Sequence, residues 1–215
     1  MSKKRTFTIQ KTARYFVHGE DITKAKRVWF VIHGYGQLAQ YFIRSFEHLD
    51  PKENFILAPE GFHRFYLDGF SGRVGASWMT KEERLDDIDD YIKYLDELRE
   101  RQTISPNQET ILLGFSQGVA TSMRWLALGN NSKFDKTILW AGSMPHDLKS
   151  EDAKNALDET AVHCVVGNHD PFLTKENIER VKSHLNQLQI EAIWHEYEGD
   201  HRIPIEPLNK LIARI

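Results

Sequence analysis

The sequence is short of the features that would take a chain away from an ordinary globular fold. It carries a single cysteine, Cys164, so no internal disulfide can form. That agrees with a reducing compartment, and the expected location is the cytoplasm. Neither Cys-x-x-Cys nor His-x-His spacing occurs, so no metal is expected. Long apolar runs are missing too. The strongest, Val28-Trp29-Phe30-Val31-Ile32, has the length of a strand, whereas a spanning helix needs about 20 residues. Met1-Ser2-Lys3-Lys4-Arg5 is basic but is followed by polar residues, so neither a secretory signal nor an integral membrane segment is expected. Charge of one sign is not in excess either. With 28 Lys and Arg against 31 Asp and Glu, the net charge of -3 offers no drive toward nucleic acid or an anionic membrane. Internal repeats, low-complexity tracts and Pro/Gly/Ser linkers are absent, so residues 1–215 are expected to form a single domain.

What is present reads as a layered α/β protein. The 215 residues are 40% hydrophobic and 27% charged, ordinary values for a globular chain. Short apolar runs alternate with longer helical patterns, as in βαβ units built on a mostly parallel sheet. The predicted strands are Arg27–Ile32, Asn54–Ala58, Glu109–Gly114, Lys136–Ala141, Ala161–Gly167 and Glu191–Tyr197. Several are nearly continuous in large apolar residues, as strands covered on both faces must be. Thr6–Gln10 and Ala13–His18 are expected to pair as an edge hairpin. Thr80 and Glu83 suggest a capping box ahead of a helix with Leu85, Ile88, Ile92 and Leu95 on one face. Ile178, Val181, Leu185 and Leu188 repeat that pattern after Thr174. Leu208, Leu211, Ile212 and Ile215 make a C-terminal stripe, with Pro204 suited to its first turn. Residues 61–80 fit neither period and read as a long loop.

The chemistry centres on Gly114-Phe115-Ser116-Gln117-Gly118. An apolar strand precedes it and a helical segment follows, the context that a G-x-S-x-G nucleophile elbow requires. A serine nucleophile needs a base, and the base needs an orienting acid. In an elbow fold these follow in the order Ser, acid, His. Asp170 lies in Gly167-Asn168-His169-Asp170-Pro171 after one strand, and His201 in Gly199-Asp200-His201-Arg202 after the next. Asp200 competes for the acid's role. Adjacent side chains seldom point squarely at one another, which favours Asp170. His163 and His169 read as structural or surface residues, and His146 as a residue lining the site. Oxyanion donors are expected from the backbone N–H groups of Gln117, directly after the serine, and Tyr35, in His33-Gly34-Tyr35-Gly36 after the first long strand. His33 reads as a brace for that loop.

Taken together, His33-Gly34-Tyr35-Gly36, Gly114-Phe115-Ser116-Gln117-Gly118, Gly167-Asn168-His169-Asp170 and Gly199-Asp200-His201 resemble the phospholipase/carboxylesterase family. Small bacterial carboxylesterases and acyl-protein thioesterases belong to it. The resemblance implies an α/β-hydrolase fold, a three-layer αβα sandwich with a mostly parallel central sheet flanked by helices. It also implies a serine hydrolase without cofactor, acting on small acyl esters or thioesters. Lysophospholipase or acyl-protein thioesterase activity is an alternative, and a non-catalytic hydrolase-fold binding protein is a rival from another class. Two positions depart from the family pattern: Tyr35 replaces a small aliphatic residue, and Gln37 an acidic one. Phe65, Tyr66 and Phe70, with Trp78 beyond them, either wall an acyl pocket or close the core beneath a loop. Met144, Pro145 and Phe172 fall in loops at the catalytic edge and are candidate pocket residues. A pocket of this kind, apolar and short of basic residues, favours a neutral ester. Monomer and homodimer both remain open.

Overall fold

The computed structural model describes residues 2–130, 132–157 and 160–215. Its centre is a seven-stranded sheet in the order β1-β3-β2-β6-β7-β8-β9. The strands are β1 (Tyr15–His18), β2 (Arg27–Ile32), β3 (Asn54–Pro59), β6 (Glu109–Phe115), β7 (Lys136–Trp140), β8 (Ala161–Gly167) and β9 (Ala192–Tyr197). All neighbouring pairs are parallel except β1 with β3. A separate two-stranded sheet joins β4 (His63–Tyr66) to β5 (Val74–Ser77). The helices are α1 (Ala39–Phe42), which continues as a 3-10 turn over Ile43–Phe46, α2 (Arg84–Glu100), α3 (Gln117–Leu128), α4 (Ser150–Leu157), α5 (Lys175–Gln187) and α6 (Ile205–Ile212).

Alternation along the central strands builds the layers. Val28, Phe30 and Ile32 of β2 join a core with residues of α2, α3, α4 and α5. Trp29 and Val31 face the other way, into a core completed by α1, the 3-10 turn and α6. Because β2 is covered on both faces, its five residues from Val28 to Ile32 are all fully buried, which is why the run is continuous and not alternating. The predicted α/β-hydrolase sandwich is therefore the fold. Helix α5 begins after Thr174, which caps it, its side chain accepting from Asn177 N, a contribution of about 1 kcal/mol.

Several expectations need correcting. Residues 6–10 form no strand; Phe7 and Ile9 are exposed, and β1 pairs with β3 instead, Tyr15 opposite Pro59. The free edge of a large sheet offers more backbone hydrogen bonds than an isolated hairpin, which is marginal in water. The segment 61–80 is no simple loop, since it holds the β4–β5 hairpin, whose connection uses Gly69 and Gly72 at φ 62° and 89°. Its strands are four residues each, too short for periodicity to reveal. Helix α2 starts at Arg84, with Glu83 at φ 49° as its N-cap. Thr80 Oγ accepts from Glu82 N instead, so no capping box forms and Leu85 is exposed. Pro204 is the N-cap of α6 and stands just outside it. Strand β7 ends at Trp140, because Ala141 turns to φ 53°.

Candidate active site

The carboxyl ends of β2, β6, β7, β8 and β9 share one edge of the sheet, and the loops leaving that edge carry the candidate residues. Between β6 and α3, Ser116 adopts φ 55° and ψ -116°, a conformation that costs a non-glycine residue about 1–3 kcal/mol. The surroundings enforce it. Ser116 N–H donates to Trp140 O at 2.9 Å, and Val119 N–H donates back to Ser116 O at 3.0 Å. Gly118 is required by close approach, since a Cβ there would stand 2.1 Å from the Ile32 carbonyl oxygen. Helix α3 therefore begins hard against β2, and its positive N-terminal end lies beside Ser116.

The loop after β8 buries Asp170, and the loop after β9 carries His201 to it. Asp170 Oδ1 accepts from Phe172 N–H at 2.8 Å and Leu173 N–H at 3.2 Å. Its other oxygen, Oδ2, lies 2.6 Å from His201 Nδ1. Held by two backbone donors, the carboxylate has one orientation, and it sets the imidazole tautomer with the proton on Nδ1. The imidazole is packed between Phe115 and Phe172, each ring centroid 4.8 Å away. Ser116 and His201 line one groove of about 330 Å³. Among the described residues no hydrogen bond joins their side chains; such contacts often tighten only when substrate is bound. Asp200 instead pairs with Arg202, 3.2 Å away. His163 pairs with His195 across β8 and β9, and burial lowers both their pKa values. His146 lines the groove.

The loop after β2 is held by four hydrogen bonds. Gln37 Oε1 accepts from Gly34 N–H at 2.8 Å, and Gly36 N–H donates to Ala76 O at 2.8 Å. His33 is fully buried and hydrogen-bonded at both ring nitrogens, to Gly34 O at 2.8 Å and from Gly61 N–H at 3.0 Å. Burial pushes its pKa down to about 4 against the smaller opposing pull of the Gly34 carbonyl and Glu60. Tyr35 N–H, between the two occupied amides, has no partner among the described residues, and neither does Gln117 N–H. The Gln117 side chain clamps this end of α3 to the β5 exit: Oε1 accepts from Trp78 N–H, and Nε2 donates to Ser77 Oγ and Met79 O.

The candidate pocket residues divide. Met144, Pro145 and Phe172 line the groove. Phe65, Tyr66, Phe70 and Trp78 do not. Phe65 stacks on the Tyr35 ring at 5.2 Å, Tyr66 is half exposed, and Phe70 is almost wholly exposed near the hairpin tip. Trp78 lies in the core against His33, its Nε1–H donating to the His33 carbonyl. The reason is register: β5 turns Trp78 under the loop that carries Tyr35, so the indole braces that loop. Sequence reasoning missed Met79 and Arg124, which also line the groove. Arg124 follows Ser116 and Ala120 at intervals of four, so the helical period read onward from the elbow would have found it.

Residues 16–215 match a model of the family described as Phospholipase/Carboxylesterase. Among curated proteins, none matches the chain by sequence. Solved structures resemble it throughout. Acyl-protein thioesterase 2 of Zea mays aligns over 94% of this chain and 97% of its own at 16% identity, with a TM-score of 0.68. A phospholipase/carboxylesterase from Dyadobacter fermentans DSM 18053 covers 96% and 97% at 20% identity and TM-score 0.68. Esterase PE8 covers 95% and 98% at 21% identity with the same TM-score of 0.68. At these identities the likeness speaks to the fold.

Proposed function

Because this chain belongs to the phospholipase/carboxylesterase family, whose members are hydrolases, we propose that it cleaves carboxylic esters through an acyl-enzyme on Ser116. The observation that carries this reading is the 2.6 Å contact of His201 Nδ1 with buried Asp170, beside a groove that Ser116 and His201 share. Asp170 accepts a hydrogen bond from His201 Nδ1–H, which keeps the proton on Nδ1 and leaves Nε2 free as base. Nε2 takes the Ser116 Oγ proton as Oγ bonds to the substrate carbonyl carbon. The resulting oxyanion is held by Tyr35 and Gln117 N–H. The imidazolium returns its proton to the leaving alkoxide (or thiolate, in a thioester), and the C–O or C–S bond breaks. Water, activated by His201, then releases the acid. None of these steps calls for a metal or organic cofactor. The substrate is a small acyl ester, and buried Cys164 suits a reducing, cytoplasmic setting.

Ser116→Ala tests the reading. Hydrolysis of p-nitrophenyl acetate should vanish, and so should labelling by a fluorophosphonate, while the melting temperature stays near that of the parent. Turnover close to the parent's would remove Ser116 from its role.

A further inference from the structure

The groove beside Ser116 holds a buried positive charge that the ester reaction does not use. Arg124 stands two turns along α3 from the elbow, on the face that also presents Ala120. Its side chain is only 5% exposed, and it pairs with Asp147, Nη2 to Oδ1 at 2.8 Å and Nε to Oδ1 at 3.1 Å. Arg84 bonds the other oxygen of the same carboxylate, so two guanidiniums share one Asp and the cluster keeps an excess positive charge. Burial works against the charge on Arg124, but Asp147 and Tyr91 together outweigh it, and its pKa lies above the ordinary value. Arg124 Nη1 meets no carboxylate among the described residues. It contacts Met79 Sδ at 3.4 Å, a weak acceptor, and the buried Tyr91 hydroxyl stands near the guanidinium. None of the residues lining the groove is an Asp or Glu. The pocket expected to be short of basic residues thus holds one arginine, Arg124.

We infer that Arg124 selects substrates that carry a carboxylate a few carbons from the scissile carbonyl. Arg124 lies about 12 Å along the helix from Ser116 by its rise, and a helical side chain leans back toward the N-terminus. The guanidinium thus stands a short acyl chain away from the serine, next to Met79, whose carbonyl accepts from Gln117 Nε2. Asp147 occupies the Nε–Nη2 edge of the guanidinium, so Nη1 is the donor left to meet a carboxylate, backed by the surplus charge of the pair of arginines. The inference rests on the Ser116 reading and narrows its substrate class.

The test compares two p-nitrophenyl esters, the hemiglutarate and its neutral methyl glutaryl analogue. A further arm places the carboxylate on the alcohol, as the butyryl ester of 4-hydroxybutanoate, followed by pH-stat. The parent enzyme should favour one carboxylate ester over its neutral counterpart at least tenfold in kcat/KM. The preference should shrink as salt is raised, and the preferred arm tells which side of the ester bears the anion. In Arg124→Met that ratio should fall tenfold or more, chiefly through KM. Since loss of the pair with Asp147 threatens folding, glutarate inhibition of the parent enzyme is measured against dimethyl glutarate; only the dianion should compete. Equal rates on charged and neutral esters, with glutarate inert, overturn the inference and leave Ser116 in place. Failure to cleave any ester or to react with fluorophosphonate overturns both.

Discussion

Among the residues through which acid should weaken this fold, His33 carries the largest lowering of pKa. Its imidazole is fully buried, and its neutral form satisfies both neighbours: Nδ1–H donates to Gly34 O, and Nε2 accepts from Gly61 N–H. A proton on Nε2 would set two donors face to face in the core. Burial accordingly pushes the pKa down to about 4, whereas the unfolded chain titrates near 6.5. As pH falls below 6.5 the unfolded state takes up a proton that the folded state refuses. The stability His33 contributes is thus complete above pH 6.5 and is lost as pH drops toward 4. Linkage puts the whole loss at about 3 kcal/mol, of which about 2 kcal/mol falls between pH 7.5 and pH 5. The assay is urea unfolding of the parent and His33→Gln at those two pH values. The variant should be less stable at pH 7.5, and the gap should narrow by about 2 kcal/mol at pH 5. The lowered pKa values of His163 and His195 are common to both proteins and cancel in the difference. A gap that stays constant with pH would refute the argument, as would nitrogen NMR showing His33 charged at pH 6.

Two further substitutions probe the site's construction. In Asp170→Asn the amide oxygen can keep the Phe172 and Leu173 N–H bonds, while its NH₂ faces His201 and moves the ring proton to Nε2. The rate of p-nitrophenyl ester hydrolysis should fall about a thousandfold or more with little loss of stability; a drop under tenfold would show that Asp170 does not orient the base. Gly118→Ala sets a methyl against the Ile32 carbonyl at 2.1 Å and should cost about 2–3 kcal/mol in urea unfolding together with most of the esterase activity. Parent-like stability there would mean that the elbow tolerates a wider gap to β2.

The central strands were legible because burial on both faces writes a continuous apolar run, as in Val28 to Ile32. The elbow was legible because its turn tolerates few residue types: Gly118 stands where any side chain would strike β2. The order of Ser116, Asp170 and His201 along the chain, each after a strand, followed from the parallel sheet, which delivers successive strand ends to one edge. What lay beyond reach were facts of mutual placement. Four-residue strands such as β4 and β5 carry no readable period, so the hairpin stayed hidden. Trp78 has the same composition whether it walls a pocket or braces His33, and only the register of β5 decides between them. Arg124 likewise reads as one more helical charge until folding stacks α3 against the loop of Asp147 and closes the guanidinium into the groove. Local sequence determines which residues can make a strand, a turn or a nucleophile, because those choices depend on neighbours along the chain. Which side chain meets which depends on the packing of elements far apart in sequence, and only the tertiary structure decides that.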